Sequence, residues 1–112
     1  VYLGAIGRIY AAPKNTEGYA KENIWWNYSN SGELPPETNA IRGNAPNDIF
    51  VCGYLKFLMH WNGKSWNRYK EIEGAGNWKA LAVKKNVIAV VGYNNSFPLT
   101  ATIVIGKRNS NY

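Results

Sequence analysis

The chain of 112 residues carries a net charge of +6, with 46% hydrophobic and 14% aromatic residues. That length allows one small domain, which buries about two-thirds of the surface of its unfolded chain, and that composition excludes a disordered segment. No apolar stretch approaches the ~18 residues of a membrane-spanning helix, and Cys52, the single cysteine, leaves no internal disulfide to form.

The basic side chains are scattered, with no run longer than the pairs Lys84-Lys85 and Lys107-Arg108. Scattered lysines make a solvated surface, not the concentrated basic footprint that nucleic acid requires. Five tryptophans and eight tyrosines against one methionine point to β-structure, where large rings pack across strands.

In chain order, short strands are expected at Val1–Leu3, Arg8–Ala11 and Ile24–Tyr28. A second group follows at Asn39–Arg42, Asp48–Cys52, Phe57–Trp61 and Ser65–Tyr69. A third comprises Trp78–Val83, Val87–Val91 and Ala101–Ile105, and "KRNSNY" reads as a polar tail over 107–112. Residues 1–28, 39–69 and 77–106 thus form a partial unit, a complete unit and a partial last unit. The runs "DIFVC" and "VIAVV" are apolar on both faces, as in a strand buried inside a stack of sheets. Cys52 lies in the first of these runs, where a buried thiol is the expected reading.

These groups repeat. "NDIFVCGY" and "NVIAVVGY" match at Asn47/Asn86, Val51/Val90, Gly53/Gly92 and Tyr54/Tyr93, each pair 39 residues apart. Four short strands recurring at roughly 40 residues is the pattern of β-propeller blades. "APNDIFVCG", followed by "LMHWNGKSWNRY", resembles a bacterial β-propeller repeat. In that repeat Asn-Asp-Ile-Phe-x-x-Gly is followed by His-Trp-Asn-Gly-x-Ser-Trp. The likeness is best over residues 39–93. "YLKFLMHW" departs from it by lacking the usual glycine, and the last unit replaces the corner with "IGKRN".

The resemblance implies an all-β, propeller-like segment of about two and a half blades, the C-terminal part of a larger ring. A missing segment or other chains are expected to complete that ring. It also implies an extracellular or cell-surface setting, and no single activity.

Catalytic groupings are sparse. Asp48 and His60 are the only residues of their kinds, so a Ser-His-Asp triad would need both of them. His60 lies within a strand, where a bond to nearby backbone or a hydroxyl is the simpler role. No second His or Cys stands at metal-ligand spacing, and no phosphate loop is present, so the sequence calls for no metal or cofactor. Glu71 and Glu73 are the one close carboxylate pair, in a loop where solvated carboxylates are usual.

His60, Trp61, Asn62, Gly63 and Trp66 read as a structural corner, with Asn62-Gly63 as a tight positive-φ hairpin turn and the two tryptophans packed across it. The loop face carries the ligand candidates: Tyr54 and Tyr93 at equivalent positions, Asn94 in the longer loop "NNSFPLT", and Glu71 and Glu73. Two N-glycosylation triplets, at Asn27 and Asn94, are of the kind that arise by chance in an Asn-rich chain.

The expected function is a non-catalytic binding or scaffold module that presents these loops to a protein or glycan. One alternative is part of a carbohydrate-active propeller enzyme whose catalytic groups lie on other blades. Another is a purely structural segment of a larger assembly. A stack this size would leave apolar sheet faces open, so light scattering on a sizing column is expected to show association. A well-behaved 12.6 kDa monomer with cooperative unfolding would count against an incomplete ring.

Overall fold

The computed structural model describes residues 2–5, 8–11, 23–27 and 37–108. Among these residues it is all-β and antiparallel, with ten strands in three sheets. The first sheet is β1 (Tyr2–Ala5), β2 (Arg8–Ala11) and β3 (Asn23–Asn27), in that order. The second is β4 (Thr38–Ala45), β5 (Asp48–Gly53), β6 (Leu58–Trp61) and β7 (Trp66–Arg68). The third is β8 (Gly76–Lys84), β9 (Val87–Asn94) and β10 (Thr100–Lys107). A 3-10 turn at Lys70–Ile72 joins the second sheet to the third. Among the described residues no helix is long and apolar enough to cross a membrane.

The core sits on both faces of the second sheet, because every residue of β5 is buried. One face gathers Ile49, Val51, Phe57 and Met59, with Ile41, Trp61 and Trp66 packed around them. The other gathers Phe50, Cys52 and Leu58 against Trp78, Leu81 and Val90 of the third sheet. Alternation along β5 thus sends odd side chains one way and even ones the other, and both ways lead to core. Burial pushes the Cys52 thiol up to about 12, so it is an inert apolar filler. The third sheet is one-sided. Val90 is buried, whereas Val87, Val91, Ile103 and Ile105 on its other face are 43%, 37%, 66% and 71% exposed.

Gly53 and Gly92 share a local geometry. Each faces a register shift in its neighbour, between Thr38 and Ala40 in β4 and between Trp78 and Ala80 in β8. A Cβ on Gly53 would stand 1.8 Å from the Glu37 carbonyl oxygen, and one on Gly92 1.8 Å from that of Asn77. Close backbone approach at a bulge is what demands glycine at both places.

All ten strands lie where the sequence places them, with ends that differ by a few residues. The corner between β6 and β7 differs in kind. Residues 62–65 form a four-residue loop, not a two-residue turn. Gly63 alone has positive φ, at 96°. Asn62 acts through its side chain, whose Oδ1 accepts from the Lys64 and Ser65 amides at 2.9 Å each. An Asn carboxamide that caps its own turn removes the need for a left-handed backbone there. Trp61 and Trp66 are directly paired, with ring centroids 5.4 Å apart.

The left-handed pair is instead Leu55 and Lys56, each with φ 56°, in the turn between β5 and β6. Successive positive φ values give the twist that hairpins favour, at a cost of about 1–2 kcal/mol for each residue with a Cβ. Of the tail expected over 107–112, residues 109–112 lie outside the described residues, and the first two are not tail. Lys107 closes β10, and Arg108 is bound to the second sheet.

Trp78, at 0% exposure, is the largest fully buried side chain among the described residues, so Trp78→Ala is expected to cost about 3–5 kcal/mol. Trp66 is only half-buried; Trp66→Ala is expected to cost about 1–3 kcal/mol. Urea denaturation of the two variants checks the order.

Candidate functional site

Asp48 starts β5, and its carboxylate is the meeting point of three elements. Arg108 grips it with both guanidinium nitrogens, Nη1 donating to Oδ1 at 2.5 Å and Nη2 to Oδ2. Asn44 Nδ2 donates to Oδ2 at 2.7 Å, and His60 Nε2 lies 2.7 Å from Oδ1. The same Asn44 side chain reaches the third sheet, donating to the Lys85 carbonyl at 2.9 Å and accepting from the Lys85 amide at 3.1 Å. Arg108 Nη2 also donates to the Lys85 carbonyl, at 3.1 Å. This polar cluster therefore fastens the second sheet to the third.

His60 is 1% exposed in the middle of β6, with its ring 4.3 Å from that of Phe50. The partner of its Nε2 is a carboxylate, where the sequence suggests backbone or a hydroxyl. The interaction is legible in hindsight, because Asp48 and His60 lie on adjacent strands. With Nε2 donating to Asp48, the ring is held as a neutral donor. Burial lowers the His60 pKa despite the carboxylate beside it. The guanidinium of Arg108 holds the Asp48 carboxyl far below the usual range. These are features of an internal tie; a general base needs a ring that can reach substrate.

The loop-face candidates divide into two groups. Tyr54 and Tyr93 come together at one end of the second and third sheets. Tyr54 pairs with Asn77, whose Nδ2 donates to Tyr93 Oη at 3.0 Å. Asn94 adjoins them, accepting a bond from Lys56 Nζ, with its own Nδ2 3.5 Å from Thr100 Oγ1. The Lys56 ammonium sits 5.2 Å above the Trp78 ring and 3.4 Å from Thr102 Oγ1. Tyr54 is 39% exposed, and the adjoining loop adds Phe97 at 101% and Leu99 at 69%.

Glu71 and Glu73 do not join this group. Arg68 takes Glu73, with Nη2 3.0 Å from Oε2 and Nε donating to Oε1. Glu71 borders the cleft between the second and third sheets. Lys56 and Phe97 are the site residues that sequence reasoning missed. The length of the Asn94–Thr100 loop signals Phe97; nothing local signals Lys56, whose partners lie 38 and 46 residues away. Among the described residues no three His, Cys, Asp or Glu side chains gather closely enough to hold a metal ion.

No family model, curated protein or solved structure matches the chain.

Two predictions follow from the Asp48 cluster. Arg108→Ala leaves a largely buried carboxylate short of its cation and is expected to cost about 1–3 kcal/mol, read by urea denaturation. The second concerns acid. A histidine held neutral in the fold takes up its proton more readily when unfolded, so stability is lost as pH falls below its unfolded value of about 6.5. Asp48, depressed in the fold, adds a further loss below its unfolded value of about 4. Denaturation midpoints between pH 8 and 3 are expected to fall in these two stages, and His60→Gln is expected to flatten the first.

Proposed function

We propose that the chain is a non-catalytic binding or scaffold module, built of propeller-type blades, that presents the Tyr54–Tyr93 end to a protein or glycan. The observation that carries this reading is the placement of Tyr54, Tyr93 and the Phe97 loop at one end of two packed sheets, with Asn77 linking the two tyrosines. Aromatic faces beside amide and ammonium groups suit the apolar face and hydroxyls of a sugar, or an aromatic-rich protein surface. The Lys56–Asn94 bond fixes one loop against another, which lowers the ordering cost of binding.

The blade reading rests on three supports. The second and third sheets stack face to face. Their glycines face equivalent register shifts. The strand order within each sheet follows the chain, as a blade requires. The open apolar face of the third sheet fits a module whose stack continues into the rest of a propeller. The capture of Glu73 by Arg68 speaks against an enzyme reading centred on the Glu71/Glu73 pair, since a carboxylate held in an ion pair is poorly placed to exchange protons.

A glycan array and a surface-protein pull-down with the intact chain test the proposal. The expected result is a ligand whose affinity falls at least tenfold in a Tyr54→Ala, Phe97→Ala double variant, with an unchanged denaturation midpoint. Glycan hydrolysis abolished by Glu71→Gln would replace this reading with the enzyme one.

A further inference from the structure

We infer that the aromatic end binds an acidic sugar, a uronic acid whose carboxylate is taken by Lys56, Asn94, Thr100 and Thr102. The inference names the ligand class of the site proposed above and rests on that reading.

The first observation is an unneutralised cation. Lys56 is 9% exposed, yet it forms no ion pair among the described residues. Its ammonium is met there by the Asn94 and Thr102 side-chain oxygens and by the face of the Trp78 ring. A charge removed from water is costly unless an opposite charge joins it. A ligand carboxylate relieves that cost, and a neutral ligand does not.

The second observation is a surplus of donors. An ammonium carries three N–H groups, a carboxamide two and a hydroxyl one O–H. Lys56 Nζ donates to Asn94 Oδ1, but it stands 3.4 Å from Thr102 Oγ1, and Asn94 Nδ2 stands 3.5 Å from Thr100 Oγ1. Those two contacts are at the limit of a hydrogen bond, so their donors are little used. Trp78 Nε1, in the ring beneath the ammonium, has no acceptor among the described residues. An ionised carboxylate only accepts, and it is the group this cluster lacks. Access is open from one side, because Asn94 is half-buried and Thr100 is exposed.

The third observation is what adjoins the cluster. Asn94 follows Tyr93, and Lys56 lies in the turn that follows Tyr54. A uronic acid presents an apolar C–H face, hydroxyls and a carboxylate on one rigid ring, which suits aromatic faces beside donors. Other charges at this end are mixed. Lys79 adds an ammonium 5.7 Å from the Tyr93 ring centroid. Glu37, whose carbonyl accepts from the Tyr54 amide, opposes it. Glu37 is exposed, however, where water and salt screen its charge. Glu73 is paired with Arg68, and Glu71 borders the cleft between the sheets. The buried Lys56 charge is the least screened of these and sets the preference.

The test uses the intact chain with methyl β-glucuronide and methyl β-glucoside, which differ in bearing a carboxylate or a hydroxymethyl group. NMR titration is expected to show at least tenfold tighter binding of the glucuronide. Lys56→Met keeps the apolar stem, and is expected to bring the two affinities level while binding of the glucoside is retained. Should that variant not fold, sodium acetate on the native protein supplies a second measurement: a saturable shift of the Asn94 side-chain amide resonances, diminished in Thr102→Val. Equal affinities for the two sugars overturn this inference and leave the binding-module reading standing. Acetate that leaves the Asn94 amide unmoved overturns it whether or not either sugar binds. An acetate response with neither sugar bound overturns the uronic-acid assignment and removes the glycan ligand from the proposed function. Tighter binding of hexaglutamate than of the glucuronide overturns it too, by assigning the site to an acidic peptide.

Discussion

Burial of β5 on both faces is the constraint from which the rest of the structure follows. A strand with core on one side needs one neighbour layer; Asp48–Gly53 needs two. Phe50 and Cys52 take theirs from the third sheet, through Trp78, Leu81 and Val90. Ile49 and Val51 anchor the opposite core with Phe57 and Met59. Hydrophobic burial gives this stack its energy but little direction, because apolar contact is non-directional. Direction comes from the first residue of the same strand. The Asp48 carboxylate draws in Asn44, His60 and Arg108, and through Asn44 and Arg108 it reaches Lys85 in the next sheet. Register between the sheets is thereby fixed by a few short polar bonds at the end of a largely apolar interface.

Much of this was legible in the sequence. The double apolar runs marked β5 and β9 because a strand's side chains alternate, so a run without polar residues has no solvent face. The paired glycines were visible too, although their reason was not. A bulge in the opposite strand brings a carbonyl oxygen where a Cβ would be, and nothing in "VCGY" or "VVGY" itself announces that.

Other features depend on partners distant in the chain. Asn62-Gly63 carries strong turn chemistry, yet the turn that uses two left-handed residues is Leu55-Lys56, against local preference. Such a violation persists where the surroundings over-determine the conformation. Here Lys56 has its ammonium held by Asn94, Thr102 and the Trp78 ring. Tertiary contact outweighs the cost of the turn. Arg108 was misread for the same reason: flanked by polar residues it resembles a tail, and only the fold brings it to Asp48. The candidate site divides likewise. Tyr54 and Tyr93 were findable as equivalent positions, whereas the removal of Glu73 by Arg68 is a matter of side-chain reach.

The separation of Asp48 from Arg108 has a consequence for the order of events in synthesis. The carboxylate and its cation are sixty positions apart in the chain. When the β4–β7 sheet has emerged from the ribosome, Asp48 and His60 are adjacent, but the guanidinium has not yet emerged. At a synthesis rate of about 5–20 residues per second, the interval before Arg108 follows is on the order of seconds. During that interval the Phe50 face of the sheet is also bare. The nascent second sheet is thus both electrostatically incomplete and sticky, and both deficits end with the arrival of β8–β10 and the arginine that follows them.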